Sequence, residues 1–294
     1  MTRAGHDIGR DGMGEDTRLA ANGLTLRYEQ ETVLDGLDVS ILAGSFTVIV
    51  GANACGKSTL LRGLSRMLRP AGGTVLLDGD DIRSLPGKVL ARRLGLLPQG
   101  PVAPDGITVS DLVSRGRYPH QRLLRQWSAE DERTVAEAMA ATGVDGLADR
   151  PVDRLSGGQR QRVWLALALA QQSPTLLLDE PTTYLDIAHA VEVLDLCADL
   201  HEQQGRTLVA VLHDLNHACR YATHLIAMAA GRIVAQGPPS LVVTEDLVQE
   251  VFGLPVRVID DPETGRPLIV PRARDAGSRR LPAVLPAASP SDAA

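Results

Sequence analysis

The segment Gly51-Ala52-Asn53-Ala54-Cys55-Gly56-Lys57-Ser58 leaves this chain few folds to choose from. Its Gly-x-x-x-x-Gly-Lys-Ser spacing is that of a phosphate loop. Gly51 and Gly56 let the backbone bend until successive N–H groups point at one anion. Lys57 adds a point charge for the outer phosphates, and the Ser58 hydroxyl can hold Mg²⁺. Such a loop is credible only between a strand and a helix. The uncharged run Phe46–Val50 precedes it and reads as a strand buried on both faces, and a helical pattern over Lys57–Met67 follows. Residues Gly51 to Thr59 are thus the candidate nucleotide-binding segment.

A second segment, Leu155-Ser156-Gly157-Gly158-Gln159, also suits an anion. Ser156 is a good N-cap, the glycines bare the backbone, and a helix is expected over Arg160–Gln171. Taken alone, this is equally a capped structural helix after a turn. Taken with the phosphate loop, it resembles the signature sequence of ATP-binding-cassette (ABC) ATPases.

The resemblance extends to other residues in the family's order. Leu176-Leu177-Leu178-Asp179-Glu180 is an apolar strand ending in adjacent carboxylates and resembles the Walker B motif. Side chains alternate along a strand, so the pair can divide its labour. The resemblance implies that Asp179 holds Mg²⁺ and that Glu180 polarises the attacking water. Leu185-Asp186 matches the family's D-loop, which lines a dimer interface, while Thr183-Tyr184 is a variant of it; Asp186 is also a natural helix N-cap. His213 resembles the switch histidine that touches the γ-phosphate, although a histidine at a strand end is often structural. Gln99 resembles the Q-loop glutamine, which touches Mg²⁺ and water. Tyr28 stands where an aromatic stacks on adenine, or is a surface tyrosine on an edge strand. Ala54 replaces a glycine common in the family's loop.

The resemblance covers roughly residues 17–271 and implies ATP and Mg²⁺ as cofactors. It also implies an α/β P-loop fold with an N-terminal antiparallel β-subdomain and a helical subdomain inserted at about 100–160. One phosphate loop and one signature per chain imply a head-to-tail homodimer, in which Ser156, Gly157, Gly158 and Gln159 close over the partner's ATP. Three stretches narrow the resemblance to ferric-siderophore importer ATPases: Arg115–Gln121 (Arg-Gly-Arg-Tyr-Pro-His-Gln), Asp214–Tyr221 and Val251–Pro255. Cobalamin and haem importers share much of this pattern. The implied partners are an integral membrane permease and, indirectly, a substrate-binding protein. The implied place is the cytoplasmic face of the membrane, held peripherally. Arg115, Arg117, Arg122 and Arg125 either receive a permease helix or form a solvated basic surface.

Composition fits this reading. A formal net charge of −6 gives no basic footprint for nucleic acid. No apolar stretch approaches the ~20 residues of a membrane span, and the acidic N-terminus is unlike a secretory signal. Cys55, Cys197 and Cys219 show no metal or disulfide spacing. Residues 1–16 and 272–294 read as disordered arms. Strands are expected at Leu19–Tyr28, Gly36–Ile41, Thr74–Leu77, Leu94–Leu97, Thr175–Asp179, Thr207–Leu212, His224–Ala229 and Arg232–Gln236. Helices are expected near Gly87–Arg92 and at Thr108–Arg115, Ser128–Thr142, Ile187–Gln203 and Asp214–Tyr221, with a Pro/Arg-rich loop at Gly116–Gln126. A soluble ABC ATPase of translation or repair would carry a second cassette or a long coiled-coil insert, and neither is seen. A regulator without turnover would not need Glu180 and His213.

Overall fold

The computed structural model describes residues 17–121 and 127–273. The arm expected at 1–16, most of the tail expected from 272, and Arg122 and Arg125 of the basic loop lie outside the described residues.

The chain opens with a long hairpin, β1 (Thr17–Tyr28) and β2 (Glu31–Leu42), and then enters the buried strand β3 (Phe46–Gly51), the phosphate loop and α1 (Lys57–Leu64). β4 (Gly72–Leu77), β5 (Asp80–Asp81), α2 (Gly87–Arg93) and β6 (Leu94–Leu97) follow. A helical stretch then holds α3 (Val109–Ser114), a 3-10 helix at Arg115–His120, α4 (Ala129–Ala141) and α5 (Gly157–Ala170). The alternation resumes with β7 (Thr175–Asp179), α6 (Ile187–Glu202), β8 (Thr207–Val211), α7 (Leu215–Tyr221), β9 (His224–Ala229) and β10 (Arg232–Gly237). Last come α8 (Pro239–Val242), α9 (Glu245–Phe252) and a hairpin of β11 (Val256–Asp260) and β12 (Pro267–Pro271).

Two sheets result. β2-β1-β4-β5 is antiparallel, and β10-β9-β3-β8-β7-β6 is parallel except at the β9–β10 edge. The central strands bury both faces, as their uncharged runs predict, and alternation assigns each residue to one of two cores. Ile49, Leu177, Val209 and Met228 face α1 and the antiparallel sheet, where Leu60, Leu61 and Leu64 are fully buried. Val48, Val50, Leu176, Leu178 and Ala210 face the opposite core with α3 to α7. Helix starts follow the caps. Ser128 and Asp131 form a capping box on α4, and Ser156 and Gln159 form one on α5. That second box starts α5 at Gly157, earlier than the Arg160 expected, because the glycines lie inside its first turn. The four C-terminal elements were not foreseen. Prolines at 238, 239, 255, 267 and 271 punctuate them into pieces too short to show a period.

The basic segment differs from expectation. Arg117 is almost fully buried. Its Nε bonds the Asp131 carboxylate at 2.8 Å, and its Nη1 donates to the Ala170 carbonyl at 2.9 Å and to Gln172 Oε1 at 2.8 Å. It therefore ties the 3-10 helix to the start of α4 and the end of α5, and offers no charge to a partner. His120 Nε2 donates to the Gln171 carbonyl at 2.8 Å, and a Cβ at Gly116 would collide with the Leu167 carbonyl.

The thiols of Cys55, Cys197 and Cys219 are all buried and free. Burial pushes Cys197 and Cys219 up to about 12.

Burial alone would raise the Asp131 carboxyl, but the Ser128 hydroxyl and the Arg117 guanidinium hold it below the ordinary range. Replacing Arg117 by Met strands that carboxylate and should cost about 3 kcal/mol, near the low end for a broken buried pair because Ser128 remains. The loss should be full at neutral pH. It should shrink as pH falls below the ordinary carboxylate value, where the ion pair's contribution to the wild type is itself lost. Denaturant midpoints at pH 7 and pH 3.5 read both effects. Equal losses at the two pH values would contradict the ion-pair account.

Candidate functional site

Four neighbouring parallel strands, β3, β8, β7 and β6, end on one edge of the central sheet. The phosphate loop follows β3, His213 follows β8, Asp179 and Glu180 close β7, and Gln99 follows β6. Residues far apart in sequence thus form a row at the C-terminal edge, where open α/β sheets bind ligands. A cleft of about 600 Å³ lies there. Its walls are Asn53, Ala54, Cys55, Gly56, Lys57, Ser58 and Thr59, with Gln99, Glu180 and His213 opposite. Glu31 and Val33 of β2 complete it and were not singled out from the sequence. No periodicity marks them, and only the hairpin's return past the loop places them.

The loop needs its glycines. Gly51 has φ 156°, and a Cβ there would collide with the Met228 carbonyl oxygen of β9. Gly56 has φ 101° and is the N-cap of α1 with no side-chain cap, so the first N–H groups of that helix stay available for an anion. Ala54 holds φ 61° in place of a glycine, which costs on the order of 1 kcal/mol. Lys57 Nζ donates to the Gly51 and Ala52 carbonyls at 2.9 Å each, which leaves a third donor.

Asp179 is 2% exposed and accepts from Ser58 Oγ at 2.8 Å. Burial raises its pKa, the Ser58 bond opposes this, and the neighbouring Glu180 charge raises it further. Glu180 lines the cleft at φ 55°, in the left-handed region that is uncommon for non-glycine residues. His213 Nε2 donates to Glu180 Oε1 at 2.7 Å, and Thr183 Oγ1 donates to Oε2 at 3.0 Å. The sequence marked Thr183 only as a variant position of the D-loop, not as a partner of Glu180. Its place three residues after Glu180, in a tight turn, is the signal that was there.

The other candidates lie elsewhere. Tyr28, at the end of β1, accepts from Arg62 Nη1 at 3.0 Å and is not part of the cleft wall. Ser156 caps α5 and is exposed beside Gly157, outside this cleft. The N-terminal turn of α5 instead packs on the loop after β7. A Cβ at Gly157 would lie 3.4 Å from Tyr184 Cβ, and one at Gly158 would lie 3.1 Å from Leu185 Cδ2. Asp186 caps α6 by accepting from the His189 N–H at 2.9 Å. Among the described residues no cluster of His, Cys, Asp and Glu could hold a metal by itself. The Ser58 hydroxyl, Asp179 carboxylate and Gln99 amide are the hard oxygen donors on hand, a set that suits Mg²⁺ shared with phosphates.

The ABC transporter family matches residues 34–183. The ferric enterobactin transport ATP-binding protein FepC of Escherichia coli (strain K12) is 55% identical over 261 residues, 89% of this chain and 96% of that protein. A siderophore transport system ATP-binding protein, YusV of Bacillus subtilis (strain 168), is 53% identical over 87% of this chain and 93% of its own length. Among solved structures, a dimeric ATP-binding cassette in a post-hydrolysis state, bound to ADP and phosphate, superposes with a TM-score of 0.68 at 26% identity. The match covers 75% of this chain and 98% of that one. The chain belongs to the ABC transporter family, as an ATP-binding cassette.

A buried carboxylate with a raised pKa costs stability wherever it is ionised. Asp179→Asn keeps an acceptor for Ser58 and removes that cost. It should raise the melting temperature of the nucleotide-free chain at pH 7, by roughly 2–4 °C for each kcal/mol relieved. The gain should vanish below the ordinary carboxylate pKa, where both folded and unfolded Asp179 are neutral. Calorimetry across pH 3.5–8 checks this, and a lower melting temperature at pH 7 would refute it.

Proposed function

We propose that this chain is the ATP-hydrolysing subunit of an importer that drives ferric-siderophore complexes through a membrane permease. The observation that carries the hydrolytic part is the Glu180 carboxylate, fixed from both sides by His213 and Thr183 at the mouth of the phosphate-loop cleft. The cargo follows from relatives named for ferric enterobactin and siderophore transport.

In this reading residues 17–271 form the ATPase domain, with the helical stretch near 100–160 as a subdomain. Gly51 to Thr59 bind the phosphates, and Tyr28 receives the base. Ser58, Asp179 and Gln99 hold Mg²⁺, which supplies charge neutralisation for the transferred phosphoryl group. Glu180 takes the proton of the attacking water, and His213 steadies Glu180 and meets the γ-phosphate. The exposed N-terminus of α5, with Ser156 to Gln159, completes the site of a second copy, so the working unit is a two-fold homodimer joined at the Asp186 loop. The similar dimeric cassette bound to ADP and phosphate supports that assembly.

No helix among the described residues is long and apolar enough to cross a membrane. In this reading the subunit acts peripherally, on the cytoplasmic face, through its permease. A substrate-binding protein delivers cargo on the far side. With Arg117 committed to Asp131, the basic loop offers less to a permease. A groove of about 700 Å³ directly after Gln99, walled by Val102, Ala103 and Trp164, is the better-supported seat.

Glu180→Gln should keep ATP binding and lower turnover about 10²–10⁴-fold. Cells whose only copy carries it should lose uptake of labelled ferric siderophore. Normal siderophore uptake in a strain lacking other importers would overturn the cargo, and the same cells would then be assayed for cobalamin and haem. Normal ATP turnover by the purified variant would overturn the role of Glu180.

A further inference from the structure

His213 is half exposed, and its side-chain partner is Glu180. Its reach is therefore set by its backbone. Only Leu212 and His213 separate the end of β8 from Asp214, the N-cap of α7. The β8 side is fixed, since the Leu212 N–H donates to the Ile49 carbonyl at 3.2 Å. The α7 side is the free variable. That helix has seven residues, well under the ~12 at which a helix is marginally stable by itself. Something must hold it.

The C-terminal hairpin supplies much of the hold, beside the Tyr221 hydroxyl that donates to Asp195 of α6 at 2.7 Å. Arg266, in the turn between β11 and β12, places Nη1 on the last carbonyls of α7. It donates to Arg220 at 2.8 Å, to Ala222 at 2.9 Å and to Cys219 at 3.4 Å. A guanidinium at a helix C-terminus is favoured by both hydrogen bonding and the helix dipole. In the first turn of α7, Asn216 pairs with the backbone of β12. Its Oδ1 accepts from the Ile269 N–H at 2.7 Å, and its Nδ2 donates to the Ile269 carbonyl at 3.3 Å. α7 is thus gripped near both ends by one hairpin. The hairpin is anchored in turn, because Val256 and Ile269 are buried in the same core as Ala218 and Cys219, and Arg272 pairs with Glu245 of α9.

We infer that the C-terminal hairpin sets the position of His213 for ATP hydrolysis, with Arg266 and Asn216 as positioning residues that never touch the nucleotide. The inference rests on the reading of His213 as Glu180's catalytic partner. Releasing α7 should misplace the imidazole while leaving the phosphate loop intact, because the loop belongs to β3 and α1.

The test uses the full-length chain. Arg266→Ala and Asn216→Ala are each made in the wild type and in His213→Ala, and steady-state ATP turnover and ATP affinity are measured. In the wild type, each should lower kcat about tenfold or more with KM and ATP affinity within about twofold, since small misplacements cost rate steeply. Arg266→Lys should restore part of kcat, because an ammonium can still meet a carbonyl. In His213→Ala, each should cost less than about twofold further. If Arg266→Ala does not fold, Asn216→Ala carries the same comparison. An unchanged kcat in the wild type, or an equal loss with and without His213, would overturn the inference and leave the function of the site standing. Wild-type turnover in His213→Ala by itself would sink the reading of His213 and this inference together.

Discussion

The hydrogen bond from Ser58 to Asp179 joins residues 121 apart in sequence, and the arrangement of the site depends on it. It pins the start of α1 to the end of β7, although those elements are built on strands separated by β8 in the sheet. The carboxylate it reaches is sealed from water, so the fold bears a desolvation cost at Asp179 and recovers only part of it from Ser58. Directly after β7 the chain enters a left-handed turn, and Glu180 lines the cleft. Two adjacent carboxylates thus take opposite environments, one dry and one facing the ligand space.

Much of this was legible in the sequence, and the reasons differ by element. β3 and β7 could be bounded closely because a strand buried on both faces tolerates no charge, so β3 runs uncharged to Gly51 of the loop and β7 ends at the first carboxylate, Asp179. The phosphate loop could be read because anion binding dictates backbone geometry, and few residue types permit that geometry. The helices with Ser or Asp caps could be placed for the same local reason. Thr183 could not, because its role depends on the turn that Glu180 makes. The hairpin of β11 and β12 was invisible because its stability comes from α7 and α9, not from its own pattern. Glu31 and Val33 reach the cleft only through the β1–β2 register.

The segment from Arg115 to Gln121 shows how charge misleads. Counting basic residues suggests a surface that attracts a partner. Yet the end of α5 presents bare carbonyls and the negative end of a dipole, and a cation can satisfy both without leaving the protein. Arg117 does so at Ala170, a His120 ring N–H bonds the Gln171 carbonyl, and Gly116 lets the backbone come close enough. The composition of that stretch is therefore explained largely by packing of the helical region. Tyr118 remains exposed on its outer side, with the Lys88 ammonium 4.7 Å from its ring centroid.

The three cysteines give the chain an unplanned use. Each sits in a different part of the machine: Cys55 within the phosphate loop, Cys197 inside α6 and Cys219 inside α7. A thiol reacts as its thiolate and only when a reagent can reach it, so burial shields Cys197 and Cys219, whereas Cys55 borders the cleft. Alkylation of the two helix thiols must then wait for a local opening. Peptide mapping of the labelled sites turns the native sequence into three separate reporters. One reads access to the loop, and the others time the helices behind the hydrolytic edge, with no engineered probe.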